Sequence, residues 1–353
     1  MKDVSIKKSL IIAILAAMPV SMVVAENAEE IIRKTGIKGG LIVHLGFGNG
    51  ELTTALRRNE HYLVHGLDTD KTKIKTARKQ LVSKGAYGDI SFMHLTENEL
   101  PYVENLVNLL IVEEQGNIRK KEMMRVLRPL GFLYIKEKGK WTKIIKPWPK
   151  EIDEWTHFLH GPDNNAVAKD SVVHKPRALQ WISDPIHGRS HEEMASVSAA
   201  VTSQGRVFYI ADYAPLVFIR FDAQWKLVAR DAFNGVLLWT RDIPRWSDHL
   251  RHSRAGPLHL PRRLVAVGNR VYTTLGLAAP VIEIDAATGM TLRVVEGTER
   301  TEEILVSDDV LYLVVGTSEV VRTGGGLYAR DEPPATKFRF ITAEQAKKRK
   351  NKG

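Results

Sequence analysis

An α/β unit with a parallel sheet, followed by an all-β region, is what this 353-residue sequence predicts. Three observations carry the prediction. Helical and strand patterns alternate over residues 26–137. A glycine-rich turn, Gly46-Phe47-Gly48-Asn49-Gly50, follows an apolar run, and an acid, Asp68, closes the next run. From about Ser196 onward, short β-rich runs recur with a repeated Asp-Ala-x-x-Gly turn.

Taken in order, Asn27–Lys34 is amphipathic, and Gly36, Gly39 and Gly40 end it. Leu41–Leu45 is uniformly apolar apart from His44, the pattern of a strand buried on both faces. Glu51–Arg58 reads as a helix and Tyr62–Leu67 as a second strand. Lys71–Lys84 is a charged helix closed by Gly85; Ile90–Leu95 and Leu106–Glu113 are strands three and four. Ile118–Leu127 is a helix stopped by Pro129 and Gly131, and Phe132–Lys136 is a fifth strand. Strands alternating with helices of this length imply a parallel sheet with crossover connections.

Residues 138–195 form a connector rich in Trp, Pro and His, with Trp141, Trp148, Trp155 and Trp181 and little periodicity. Residues 196–330 are then β-rich. Strands are predicted at Val207–Ala211, Leu216–Phe221, Leu227–Arg230, Val236–Trp239, Leu264–Val267, Val271–Leu275, Val281–Ile284, Ile304–Val306 and Val310–Val315. The segment Leu227–Val236 aligns with Val281–Met290, each a strand, an Asp-Ala-x-(Asn/Thr)-Gly turn and another strand. Glycine supplies the positive φ of such a turn, and the Asp side chain can bond its backbone. Recurring hairpins of this kind suggest β-propeller blades. Only about two can be counted, so an incomplete propeller is expected, from a fragment or a truncated product. Residues 331–353 read as a polar, basic tail.

The N-terminus carries Lys2, Lys7 and Lys8, an apolar run from Leu10 to Val24, and Ala25 before Glu26. That is the layout of a secretory signal peptide over 1–25, predicting a periplasmic or secreted protein with no transmembrane helix after cleavage. A retained N-terminal anchor is the second reading. The absence of cysteine excludes disulfides and thiolate metal sites. The net charge of +10 is spread along the chain rather than gathered on one face, so no specific nucleic-acid partner is expected.

Over Ile37–Lys136 the chain resembles class I S-adenosylmethionine-dependent methyltransferases, which have a Rossmann-like fold. The resemblance rests on Val43–Gly50, on Asp68 eighteen residues after Gly50, on Leu100-Pro101 and on Val126-Leu127-Arg128-Pro129-Leu130-Gly131. It implies that Gly46, Gly48 and Gly50 let the backbone approach the methionine part of the cofactor, and that the helix from Glu51 offers N–H groups to its carboxylate. Asp68 would take the ribose hydroxyls, with His44, Thr96 and Glu113 lining the pocket. His44 and Thr96 stand where the family usually carries acids. No catalytic base is evident.

The second half resembles pyrroloquinoline-quinone-like propeller proteins, most clearly at Ala229–Trp239, where the family's tryptophan docks between blades. Arg293 stands at that position in the second copy. The cysteine pair on which quinone enzymes of this fold often stack their cofactor is missing, so a bound quinone is not expected. Two histidine clusters remain open between metal ligation and ordinary hydrogen bonding: Asp153, His157 and His160, and His187, His191 and Glu192. The tryptophans read as packing anchors or, alternatively, a sugar-stacking platform.

Two functions lead, with a quinone- or metal-dependent oxidoreductase as a third possibility. One is an exported methyltransferase-like protein fused to a propeller. The other is a non-catalytic assembly scaffold, with a vestigial cofactor domain, that meets a protein or polymer partner through the propeller face.

Overall fold

The computed structural model describes residues 27–172, 175, 178–186, 188, 196–215, 222–246, 260–276, 278–316 and 337–341, the last by backbone alone. The N-terminal segment 1–25, the run 216–221, the cluster His187, His191 and Glu192, and residues 342–353 lie outside them.

Helix α1 (Ala28–Thr35) starts at Asn27, whose Oδ1 accepts the Glu30 N–H at 2.8 Å. Strand β1 (Gly40–Leu45) follows, then α2 (Glu51–Leu56), β2 (Tyr62–Asp68), α3 (Lys71–Ser83), β3 (Ile90–His94), β4 (Val107–Val112), α4 (Lys120–Val126), β5 (Leu127–Glu137) and β6 (Lys140–Ile145). The sheet order is β3-β2-β1-β4-β5-β6. The first five strands are parallel, and β6 returns antiparallel along β5. The sequence reading places residues 140–145 in the connector; their alternation is carried by lysines, which hides the strand. Every residue of β1 and β4 is buried, because helices cover both faces of the sheet's centre. The chain crosses from β3 at the sheet's edge to β4 beside β1, so β1 and β4 form a topological switch point.

Among the described residues the β region forms three antiparallel sheets. The first is β7 (Val197–Ser203), β8 (Arg206–Asp212), β9 (Trp225–Asp231) and β10 (Leu237–Ile243). The second is β11 (Leu264–Val267), β12 (Arg270–Thr274), β13 (Val281–Asp285) and β14 (Thr291–Val295). The third is β15 (Thr301–Ser307), β16 (Val310–Val315) and β17 (Lys337–Ile341). The spacing of the turn motif predicts about two sheets; no Asp-Ala-x-x-Gly copy marks the third.

The two copies of the motif fold alike. Asp231 Oδ1 accepts the Phe233 N–H at 2.9 Å, and Asp285 Oδ1 accepts the Ala287 N–H at 3.1 Å. Gly235 and Gly289 each donate to the carbonyl of the motif's own aspartate at 2.9 Å. Trp239 lies on the second turn, its Nε1 donating to Ala286 O at 3.1 Å. Trp181, from the connector, lies on the first turn in the same way, donating to Ala232 O at 2.9 Å. A connector tryptophan thus makes the contact that the preceding sheet's tryptophan makes elsewhere.

The edge strands β7, β11 and β15 share one strap. Thr202 donates its N–H to Trp155 O at 2.7 Å, Ala266 to Thr156 O at 2.9 Å, and Val306 to His157 Nε2 at 3.1 Å. Thr202, Ala266 and Val306 each stand one residue before the end of their strands, at matching distances from the following hairpin. Three consecutive residues therefore satisfy three equivalent edge donors, which would otherwise be left unpaired.

The α/β unit meets the β region at the N-terminal ends of its strands. Asn108 at the start of β4 is 2% exposed and donates Nδ2 to Asp231 Oδ2 at 2.7 Å. Its Oδ1 accepts from Leu41 N at 2.8 Å and from Asn234 Nδ2 at 2.6 Å. Arg128 Nε lies 3.0 Å from Asp231 Oδ2. One buried carboxylate thus joins both halves of the chain.

Candidate cofactor site

At the opposite, C-terminal end of the parallel strands lies the glycine-rich turn. Gly46, Gly48 and Gly50 all have positive φ, at +70°, +61° and +83°. Gly46 N–H donates to Leu67 O at 2.8 Å, tying the turn to β2. A Cβ on Gly46 would come within 2.6 Å of Glu114 Cβ and 2.7 Å of Glu114 N, so only glycine lets β1 end against that segment. Around Gly48 the space is open, with no atom within 4 Å of where a Cβ would stand. Gly50 heads α2, and Asn49 Oδ1 takes the Glu51 N–H at 3.0 Å, so one donor of this six-residue helix is already occupied.

His44 is fully buried in β1. Its Nδ1 meets Thr53 Oγ1 at 2.9 Å, and its Nε2 lies 3.2 Å from Glu113 Oε1. The contact with His44 holds the Glu113 carboxyl below its ordinary pKa, against the burial that pushes it up. Glu113 follows β4 and donates its N–H to Leu45 O at 3.1 Å, so His44 and Glu113 meet across neighbouring strand ends.

Asp68 ends β2 and is 4% exposed. Its Oδ1 accepts the Asp70 N–H at 2.9 Å, and its Oδ2 faces Lys73 Nζ at 3.5 Å. Lys73 also reaches Glu114 Oε2 at 3.8 Å. Asp68, and behind it Glu114, raise the pKa of the Lys73 ammonium. Because β2 and β4 flank β1, a side chain touching both Asp68 and Glu114 spans the mouth above the glycine turn. Thr96 follows β3 at the same end of the sheet and is exposed.

The seven residues singled out in the sequence, His44, Gly46, Gly48, Gly50, Asp68, Thr96 and Glu113, therefore stand at the C-terminal ends of β1 to β4 or in the segments just after them. Sequence reasoning missed Thr53, Lys73 and Glu114. Lys73 lies one helical turn into α3, five residues after the acid, a spacing at which a basic residue could have been noticed. The donor set suits a cationic nucleoside: a buried acid for a diol, two further acids after β4, and open space beside Gly48.

The two described histidines of the connector, His157 and His160, have partners of their own. His157 is 2% exposed, and burial pushes its pKa down to about 4, which keeps it a neutral acceptor for Val306. His160 Nε2 pairs with Asp153 Oδ2 at 2.7 Å. Among the described residues no three His, Asp or Glu side chains gather to hold a metal. No helix of the described residues is long and apolar enough to cross a membrane.

Residues 43–135 match the family model described as a methyltransferase domain. The ubiquinone/menaquinone biosynthesis C-methyltransferase UbiE of Yersinia enterocolitica is 24% identical over 176 residues, 48% of this chain and 66% of that protein. Its counterpart from Yersinia pestis is 23% identical over the same shares. The chain thus spans just under two thirds of the length of the curated relatives it matches. Among solved structures, geranyl diphosphate C-methyltransferase from Streptomyces coelicolor A3(2) aligns over 31% of this chain and 43% of its own, at 16% identity and a TM-score of 0.28. With the sheet order and the glycine turn in place, the match over residues 43–135 makes this stretch similar to a methyltransferase domain.

Proposed function

We propose that the α/β unit binds S-adenosylmethionine across the Gly46–Gly50 turn and serves an S-adenosylmethionine-dependent methyl transfer. The observation that carries this is the set of acids, Asp68, Glu113 and Glu114, grouped at the strand ends around the open side of the turn. Asp68 would accept the ribose hydroxyls, and the glycine backbone would leave room for the methionine moiety. The acids after β4 would balance the sulfonium. The bound cofactor supplies an activated methyl group, so the chain's own task is to hold it in line with an acceptor.

A second reading has its own observation. Lys73 already engages Asp68 and Glu114, as it would in a cofactor domain retained for assembly. In that reading the β region, a propeller-type fan, meets a protein or polymer partner. The sequence from Lys2 to Ala25 supports an exported protein in either case.

Titration calorimetry on the full chain with S-adenosylmethionine and S-adenosylhomocysteine separates the two. The enzyme reading expects saturable binding, weakened about 100-fold in Asp68→Ala by the loss of two charge-assisted hydrogen bonds. Lys73→Met removes the competitor for Asp68 and is expected to tighten binding about 3- to 10-fold, the scale of a partly exposed ion pair. No saturable heat with either nucleoside, in wild type and in Lys73→Met, would leave the scaffold.

A further inference from the structure

A cleft of about 720 Å³ lies between the lower edge of the parallel sheet and the turns of the first two antiparallel sheets. Its volume is that of a small-metabolite site, and sites of this kind favour junctions between structural units. It is at the far end of the strands from the glycine turn and shares no residue with that site.

Arg206, which opens β8 and lines this cleft, is 8% exposed. Its hydrogen bonds all go to neutral oxygens: Ser203 O at 3.5 Å, Gln204 Oε1 at 3.4 Å, Gly268 O at 3.4 Å and Asn269 Oδ1 at 2.7 Å. Its register partner on β9 is Asp231. That carboxylate is taken by Arg128, by Asn108 and by the N–H groups of its own turn.

The second sheet offers an internal comparison. Arg270 occupies the same hairpin position, opposite Asp285, and pairs with Glu283 at 2.9 Å. Counting back from the motif aspartates, Ala229 stands in the first sheet where Glu283 stands in the second. The half-buried arginine of the second sheet has a carboxylate in contact, and the buried one of the first sheet has none. Burial first, and Arg128 second, push the Arg206 pKa down to about 10, while Asp285, Glu154 and Asp231 act from further off in the opposite sense.

A guanidinium out of water without a carboxylate in contact is costly unless a ligand supplies the charge. We propose that the cleft binds a small oxyanion-bearing metabolite, its carboxylate or phosphate group held by Arg206 with Arg128 beside it. The four hydrogen bonds of Arg206 come from its Nε and Nη2, which leaves Nη1 to donate to such a group.

The test is titration calorimetry of the full chain with sodium phosphate and, separately, sodium citrate at constant ionic strength. Saturable binding with a Kd of roughly millimolar or tighter is expected for at least one anion. Which anion binds shows whether phosphate or carboxylate is the recognised group. Arg206→Gln should weaken it at least about tenfold, whereas Lys79→Gln, the same charge change on exposed α3, should leave it unaltered. Arg206→Lys keeps the charge and should retain weaker binding. Should the glutamine variant fail to fold, a rise in the wild-type Tm with the bound anion, absent with chloride at equal ionic strength, reads the same site. Flat titrations with both anions, or equal affinity in Arg206→Gln, would overturn the assignment.

Discussion

Asn108→Ala is expected to lower the unfolding free energy by about 3–5 kcal/mol, the sum of several buried hydrogen bonds lost with partners left behind. The side chain is buried, and three hydrogen bonds meet on it: two accepted by Oδ1 and one donated to Asp231. Truncation removes the side-chain acceptor of the Leu41 N–H and takes one donor from a buried carboxylate. Because Asn108 belongs to the parallel sheet and Asp231 to the β region, the loss acts on the junction. Thermal unfolding followed by circular dichroism should show the drop, and limited proteolysis should cut between the two halves more readily. A loss below about 1 kcal/mol would mean that this network contributes no more than an ordinary surface contact.

Trp239→Ala should cost a similar amount, about 3–5 kcal/mol, through the cavity it leaves between the first two sheets. The indole is buried in a cluster with Phe208, Leu227, Ala229, Ile282 and Ile284. Its ring lies flush on Gly289, where a Cβ would come within 2.7 Å of the ring on a backbone with φ of +74°. Gly289→Ala is therefore disruptive from the other side of the same contact. Urea unfolding of both single variants and the double variant checks this. The double variant should lose less than the sum, since either change alone breaks the docking. Strict additivity would show that the tryptophan and the turn act independently.

The parts legible in the sequence were those written in local chemistry. The apolar runs of β1 and β4 announce strands buried on both faces, and the glycines with Asp68 mark the candidate crevice at the strand ends because both depend on short-range backbone geometry. The Asp-Ala-x-x-Gly turns are visible for the same reason, since Asp231 and Asp285 bond their own turn. What stayed hidden depends on distant partners. Lys73 looks like one more charge on a solvated helix until β2 and β4 bring Asp68 and Glu114 beside it. Trp181 sits in an aperiodic stretch, and only its contact with Ala232 reveals that it substitutes for a strand tryptophan. His157 and His160 carry metal-like spacing, yet one serves a strand edge and the other an aspartate.

The strap at Trp155–His157 bears on how the protein comes to be made. It precedes all three antiparallel sheets in the chain, and synthesis runs from the N-terminus. Each of the strap's three residues accepts from the edge strand of one sheet, so these three edge donors are already taken and are not offered to a second molecule.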